Sequence, residues 1–335
     1  MSIPLTMRAL QQTSLSGPRD LRLITAAPVP SPGPGEVLIR VTAAGANFVD
    51  ISQSRGTFAG GPQPPYLAGI EGAGEVTALG EGVTDLELGT HVIGVTIGGG
   101  AFAEYMLLPA AAAVPVPAGW TDEQALGLVV NWPTALAALR PLGGLTAGQT
   151  VLIHAAAGGT GQAAVKIAKH YGATVIASAS PGKHQTVQAL GADHVIDSRG
   201  TDLAADVLRL TGGAGVDLVL ESVGGATLDA SLAAAKRVTG RVVVYGLADG
   251  EAAITNWELV YKHQLHIIGL NIGILIQAAP HIFGELMGEM FGLIAAGVLG
   301  PGQPTIYELA EGAKALAELE ARATVGKLAL RPQSP

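Results

Sequence analysis

The segment with the most evident chemical content is Val151-Leu-Ile-His-Ala-Ala-Ala-Gly-Gly-Thr-Gly161. A short apolar run leads into Ala155, Gly158 and Gly161, an Ala-x-x-Gly-x-x-Gly spacing, and a helix-like stretch, Gln162–His170, follows. Small residues at these places let the chain turn tightly and bring backbone N–H groups close to a pyrophosphate. They also let the next helix pack on its strand with its N-terminus facing the anion. Ala157, Gly159 and Thr160 complete the loop. A glycine-rich turn alone is weak evidence, but strand, loop and helix in this order define a dinucleotide phosphate loop.

The next strand should end in the residue that reads the adenosine ribose, which in NAD-selective proteins is an Asp or Glu about 20 residues on. Here no acid occurs from Gln124 to Ala192, while Arg140, Lys166, Lys169 and Lys183 contribute +4. The chain as a whole carries −8, so the remainder carries −12. An acid-free stretch in an acidic protein suits a bound anion. Ser178, Ser180 and Lys183 occupy the ribose-reading place, offering hydroxyls and an ammonium to a 2′-phosphate. NADPH is therefore expected in preference to NADH.

Composition narrows the rest. With 335 residues, two domains fit. Hydrophobic residues at 48% against charged residues at 14% exclude a disordered chain. Cysteine is absent, which removes a disulfide framework, a thiolate nucleophile and any zinc site built on sulfur. The acidic balance argues against nucleic acid. No leader is evident, and the most apolar stretch, Leu265–Phe283, is interrupted by His266, Asn271, Gln277 and Pro280, so a cytoplasmic protein with no membrane partner is expected. His263 and His266 are expected near the start of a strand in structural or surface roles, and His154 as a packed core residue. No Gly-x-Ser-x-Gly elbow, His-Glu-x-x-His or complete P-loop is present.

Two regions must position these residues. Up to about residue 120, short β-rich runs (36–41, 72–79, 91–95, 103–108) alternate with Pro/Gly punctuation, which suggests a partly open β-barrel. From Asp122 the pattern changes. A helix over 122–139 precedes six apolar runs at 151–155, 174–178, 194–197, 216–221, 241–245 and 266–270, separated by helix-like crossovers, the pattern of a doubly wound parallel sheet. The tail reads helix (282–296), helix (307–322), strand (325–330). A last strand has no slot in a complete six-stranded sheet, so the tail is placed with the first region. The expected domains are residues 1–125 with 273–335, and residues 126–272.

Several segments together resemble the medium-chain dehydrogenase/reductase superfamily, and within it the zinc-free, zeta-crystallin-like NADPH:quinone oxidoreductase branch. They are Asn-Phe-Val-Asp at 47–50, Ala-Phe-Ala-Glu-Tyr at 101–105, the loop at 154–161, Asp-Leu-Val-Leu-Glu-Ser-Val-Gly at 217–224 and Ala-Arg-Ala-Thr-Val-Gly at 321–326. The resemblance implies a GroES-like catalytic domain, an α/β Rossmann domain and a tail that rejoins the first. Zinc members of that superfamily place a Cys where this chain has Asn47, a His where it has Ile70, and commonly a Cys near Asn131; neither Ile nor an amide replaces those ligands.

Without a Lewis acid, the favoured acceptors of hydride are quinones and α,β-unsaturated carbonyls. The resemblance places Asn47 beside the nicotinamide and the substrate carbonyl. It places Val223 and Gly224 under the ring, Gly246, Leu247 and Asn271 near the carboxamide, and Ser178, Lys183 and Arg322 with the adenosine phosphates; Ser222 and Lys327 join the cofactor-binding set. Asn47 is expected to donate an amide hydrogen bond to the developing oxyanion, Thr134 is a further candidate, and Asp50 is expected to cap a helix. Phe58 and Ser52 stand where relatives often carry Tyr, which removes two proton donors. The leading expectation is an NADPH-dependent quinone or enone reductase. The alternatives are an enoyl-thioester reductase and a crystallin-like NADPH-binding protein with little turnover. An apolar sheet-edge strand, His266–Leu270, suggests a homodimer.

Overall fold

Alternation of apolar and polar residues between turn signals produces the strands of the first region. In the computed structural model, which describes residues 3–333, these are β1 (Thr6–Gln12), β2 (Leu21–Pro28), β3 (Glu36–Ala46), β4 (Tyr66–Leu67), β5 (Glu71–Leu79), β6 (His91–Val95), β7 (Tyr105–Pro109) and β8 (Val114–Pro115). Helix α1 (Phe48–Ser54) follows β3 and α2 (Asp122–Ala125) follows β8. The long strand β3 is the hub, pairing antiparallel with β5 along its length and with β7 over Glu36–Arg40. Strands β2, β1 and β4 form a separate small sheet. Ile39, Phe102, Met106 and Leu108 fill the core between them.

The second region begins with α3 (Asn131–Leu139). Its strands are β9 (Thr150–Ile153), β10 (Thr174–Ala179), β11 (His194–Asp197), β12 (Leu218–Glu221), β13 (Arg241–Val244) and β14 (His266–Gly269). The intervening helices are α4 (Gly159–His170), α5 (His184–Ala189), α6 (Leu203–Leu210) and α7 (Gly225–Ala234); α8 (Ile272–Ala278) and α9 (Pro280–Ala295) come after. The parallel sheet runs β11-β10-β9-β12-β13-β14, the doubly wound order. Val151, Val175 and Val219 have no exposed surface, as apolar runs covered on both faces require.

The tail then supplies β15 (Thr305–Glu308), α10 (Gly312–Glu320) and β16 (Leu328–Arg331). β16 lies antiparallel on β3, with Leu328 opposite Ala46 and Leu330 opposite Ala44, so the last strand does return to the first sheet. Leu309, Leu316 and Leu330 join that core.

Two expectations on boundaries change. The compact units are the residues up to Val130 with those from Pro301 onward, and Asn131–Gly300, so the divisions fall at 130/131 and 300/301 rather than 125/126 and 272/273. The tail helix near 282–296 stays with the dinucleotide unit because α9 packs on α3. Leu286, Met287, Met290 and Leu293 bury its apolar face, and Glu289 accepts hydrogen bonds from Arg140 (3.3 Å) and Tyr171 (2.5 Å). The helix expected over 122–139 is two helices. Gly127 adopts φ +99°, outside the right-handed helical region, and turns the chain between α2 and α3. Among the described residues, no helix is long and apolar enough to cross a membrane.

Candidate active site

The phosphate loop begins at the end of β9, where Ala155 takes φ +47° and Gly158 becomes the N-cap of α4. A Cβ on Gly161 would lie 2.4 Å from the Ala155 carbonyl oxygen and 2.6 Å from Ala156 Cα, so only glycine lets α4 approach the strand this closely. The first N–H groups of a helix lack intrahelical partners and carry its positive end. Such a cradle fits a pyrophosphate. Asn131 Nδ2 donates to Thr160 Oγ1 (3.1 Å), and Gln162 Nε2 donates to the Ala157 carbonyl (3.0 Å), bracing the loop from both sides.

Beneath the loop runs a buried chain of polar groups. Ser178, His154, Ser231 and Glu221 are each at most 1% exposed. Glu221 Oε1 accepts the N–H groups of Val223 (2.5 Å) and Gly224 (3.0 Å), and its Oε2 accepts the Ser231 hydroxyl (2.5 Å). His154 Nε2 then donates to Ser231 Oγ (2.9 Å), which leaves Nδ1 to accept from Ser178 Oγ (2.9 Å). Burial pushes the His154 imidazole below its usual range, against the opposing charge of Glu221. His154 is thus a satisfied core residue, as expected.

Ser178 is not a surface hydroxyl waiting for a phosphate: its oxygen is buried and held by His154. The network instead fixes the Val223–Gly224 turn, where Gly224 takes φ +76° and a Cβ would meet the Gly250 carbonyl oxygen at 2.2 Å. Gly246 is needed for similar reasons, since its Cβ would lie 2.6 Å from the Ser222 carbonyl oxygen.

Lys183 stays at the end of β10, just after the part-exposed Ser180, whose carbonyl accepts its N–H (2.9 Å). Burial depresses the Lys183 ammonium, and the neighbouring charge of Arg199 depresses it further. Arg199, after β11, was not legible from spacing, yet it adds a second cation where an anion is expected. Leu247 is 39% exposed, Thr134 is buried within α3, and Asn271 caps α8 through its Oδ1, accepting from the Ile274 N–H (3.2 Å). Arg322 is exposed in the first unit. His263 is buried at the end of the helical segment Glu258–His263 rather than in a strand, whereas His266 opens β14 and is exposed.

In the first unit the chemistry gathers around Asn47. Its backbone N–H donates to Asp50 Oδ2 (2.7 Å), so Asp50 braces the start of α1 as expected. The Asn47 amide donates to the Gly45 carbonyl (3.1 Å) and to Glu71 Oε2 (2.8 Å), and its Oδ1 accepts from Lys327 Nζ (2.7 Å). Glu71 has no exposed surface; its other oxygen accepts the Gly127 N–H (2.6 Å). Asp50 is 3% exposed, and burial pushes its carboxyl up to about 7. The Asn47 N–H, the Lys327 charge and, weakly, the Ile70 N–H pull the other way; Glu71 adds repulsion. This donor set does not fit zinc. Ile70 offers no ligand atom, Asn47 Oδ1 already faces an ammonium, and the chain has no thiolate.

A phosphate loop on a doubly wound sheet, in a chain whose GroES-like unit holds Asn and Ile at the metal-ligand positions, defines a zinc-free dehydrogenase/reductase. Comparison with known proteins agrees. Residues 33–118 match the alcohol dehydrogenase GroES-like domain, and residues 159–288 match the family described as zinc-binding dehydrogenase. The quinone oxidoreductase of Pseudomonas syringae pv. Tomato DC3000 superposes with a TM-score of 0.90 at 33% identity, covering 98% of this chain and all of that one. The Escherichia coli quinone oxidoreductase complexed with NADPH gives 0.89 at 30% identity over 97% of this chain and 100% of its own. CurK enoyl reductase gives 0.86 at 29% over 97% and 99%. The mycocerosic acid synthase-like polyketide synthase of Mycobacterium tuberculosis is 37% identical over 89% of this chain, but the chain spans only 14% of that protein's length. The chain belongs to the medium-chain dehydrogenase/reductase superfamily, in its zinc-free quinone oxidoreductase branch.

Proposed function

We propose that the protein is a zinc-independent, NADPH-dependent reductase of quinones or α,β-unsaturated carbonyls. The observation that carries this is the pairing of a complete phosphate loop with Lys183, and no acid, at the ribose-reading end of β10, with Arg199 beside Lys183 just after β11. NADPH, when bound, supplies hydride. The loop at 155–161 takes its pyrophosphate, Lys183 and Arg199 take its 2′-phosphate, and the Glu221-braced turn at Val223–Gly224 takes the nicotinamide ring. Asn47 and its neighbours serve the substrate. The E. coli quinone oxidoreductase structure contains NADPH, which supports the cofactor assignment.

A second reading, reduction of enoyl thioesters, is favoured by the similarity to CurK enoyl reductase. Steady-state NADPH oxidation against a benzoquinone, a phenanthrenequinone, an alkyl enone and crotonyl-CoA separates the two. The quinones and the enone are expected to lead. A wide advantage of crotonyl-CoA in kcat/KM selects the thioester reading, and turnover of none leaves only a nucleotide-binding protein. The same reading makes the chain a homodimer paired through β14.

A further inference from the structure

Three ionisable side chains of the first unit meet almost out of reach of solvent: Asp50, Glu71 and Lys327, whose side chain is only 10% exposed. Lys327 Nζ donates to Glu71 Oε2 (2.5 Å) and Asn47 Oδ1 (2.7 Å). An ammonium carries three N–H bonds. The third has no partner among the described residues. Asn47 has committed both amide hydrogens, to Gly45 and to Glu71. Of these two polar groups, the ammonium is the one with a donor to spare.

Stability does not explain why the cluster is there. Taking two charges out of water costs several kcal/mol per ion, and replacing a buried pair with apolar residues is often neutral or stabilising. The fold makes room for the pair even within its longest strand: a Cβ on Gly45 would lie 2.4 Å from Glu71 Oε2 and 2.8 Å from Lys327 Cε. Register places them together, because β16 enters the sheet with Leu328 opposite Ala46.

We propose that Lys327 is a catalytic residue of the reductase, its third N–H binding the substrate oxygen that becomes negative and delivering a proton to it. This rests on the reductase reading above. As the electrophilic carbon of the substrate accepts hydride, the π electron pair moves onto the carbonyl or quinone oxygen. An O–H bond forms there as an N–H bond of Lys327 breaks, leaving an amine held by Glu71 and Asn47. Asp50, or water, returns the proton. Asp50 suits this service: it is buried, its Oδ1 lacks a partner of hydrogen-bonding geometry, and its carboxyl keeps a proton close to neutral pH. The balance is one hydride from the cofactor and one proton, which solvent resupplies through Asp50 or water at each turnover.

The test uses 4-nitrophenol, a stable mimic of the developing oxyanion, titrated by absorbance into the full chain saturated with NADP+. Wild type is expected to favour the bound phenolate by about tenfold or more, and Lys327→Met to lose that preference. The variant's kcat is expected to fall by ~100-fold or more, the scale of general acid catalysis, with NADPH affinity little changed; the melting temperature falls as Glu71 loses its partner, so kcat is read well below the variant's own transition. Lys327→Arg, which keeps the charge, is expected to restore part of the phenolate preference and remains informative if the Met variant does not fold. Retention of the preference and of kcat in Lys327→Met overturns the proposal. So does a loss of NADPH affinity with the phenolate preference intact, which makes Lys327 a cofactor contact. Because the titration needs no turnover, a wild type that ionises the phenol but reduces none of the panel overturns the reductase reading instead. A wild type that reduces quinones without ionising the phenol counts against Lys327.

Discussion

His154 Nδ1 lies 2.9 Å from Ser178 Oγ, and neither side chain is more than 1% exposed. The hydroxyl at the end of β10 is therefore part of the core. Ser178→Ala would leave a buried imidazole nitrogen unpaired, at a cost of about 1–3 kcal/mol. Denaturant unfolding should show that loss, while the ratio of kcat/KM for NADPH over NADH stays within about twofold of wild type. A collapse of that ratio would return Ser178 to the phosphate site.

The proposed preference for NADPH rests on Lys183 and Arg199. Hydrogen bonds to charged groups are worth about 1.5–3 kcal/mol, so Lys183→Ala and Arg199→Ala should each raise KM for NADPH by ~10-fold or more. NADH, with no 2′-phosphate, should be nearly indifferent to both. Equal losses for the two cofactors would show that these side chains only shape the surface.

Asp50 sets a pH dependence of stability whose sign is unusual for a carboxylate. Its carboxyl is ordinarily half-protonated at 3.8, but in the fold it keeps its proton up to about 7. Between those values the folded state binds more protons than the unfolded chain, so this group lowers stability as pH rises and adds no further change above neutrality. A difference of about three pKa units corresponds to ~4 kcal/mol. The charges facing it are Glu71, which reinforces the shift, and Lys327, which opposes it; Tyr66 lies close enough that Asp50, after burial, helps push its phenol up to about 12. In Asp50→Asn, an amide oxygen can still accept the Asn47 N–H. The variant should lose this slope and gain stability relative to wild type at pH 8, as unfolding free energies at pH 5 and pH 8 would show.

Much of this architecture was legible because the six apolar runs of the second region are separated by crossovers of helical length, the pattern of a doubly wound parallel sheet. The last strand was placed with the first region because a complete six-stranded sheet has no slot for it, and β16 does pair with β3. What failed had local causes. Gly127 interrupts a stretch whose apolar pattern alone continues from α2 to α3, and the apolar face of α9 does not name its partner. At the candidate site, the tight turn from β9 into α4 was readable because its small residues are nearly consecutive. The Lys327–Asn47 contact spans 280 positions and depends on the register of β16, and the inward turn of Ser178 depends on which face of β10 it occupies.

β14 is the edge of the six-stranded sheet, and Ile267 within it is 36% exposed. Trp257, Tyr261 and Ile274, on the segments flanking that strand, are also exposed. An unpaired apolar edge invites a second copy, which can satisfy its backbone groups across a twofold axis. Sedimentation at micromolar protein should give a dimer, and Ile267→Lys should shift the population towards monomer without changing NADPH affinity. A monomeric wild type would refute the pairing.

Gly161 offers the sharpest test of the phosphate loop. The atoms that a Cβ would strike, the Ala155 oxygen and Ala156 Cα, belong to the backbone of the loop itself, so no side chain can swing away to admit it. Either α4 retreats from β9 or the loop opens; both withdraw the N–H groups that face the pyrophosphate. Gly161→Ala should therefore weaken NADPH binding by ~10-fold or more while costing about 1–3 kcal/mol of stability through overpacking. Gly284→Ala, on α9, is the control, because a Cβ there meets nothing within 4 Å. Fluorescence titration of NADPH into both variants separates the outcomes, and unchanged affinity in Gly161→Ala would mean that the pyrophosphate is bound elsewhere.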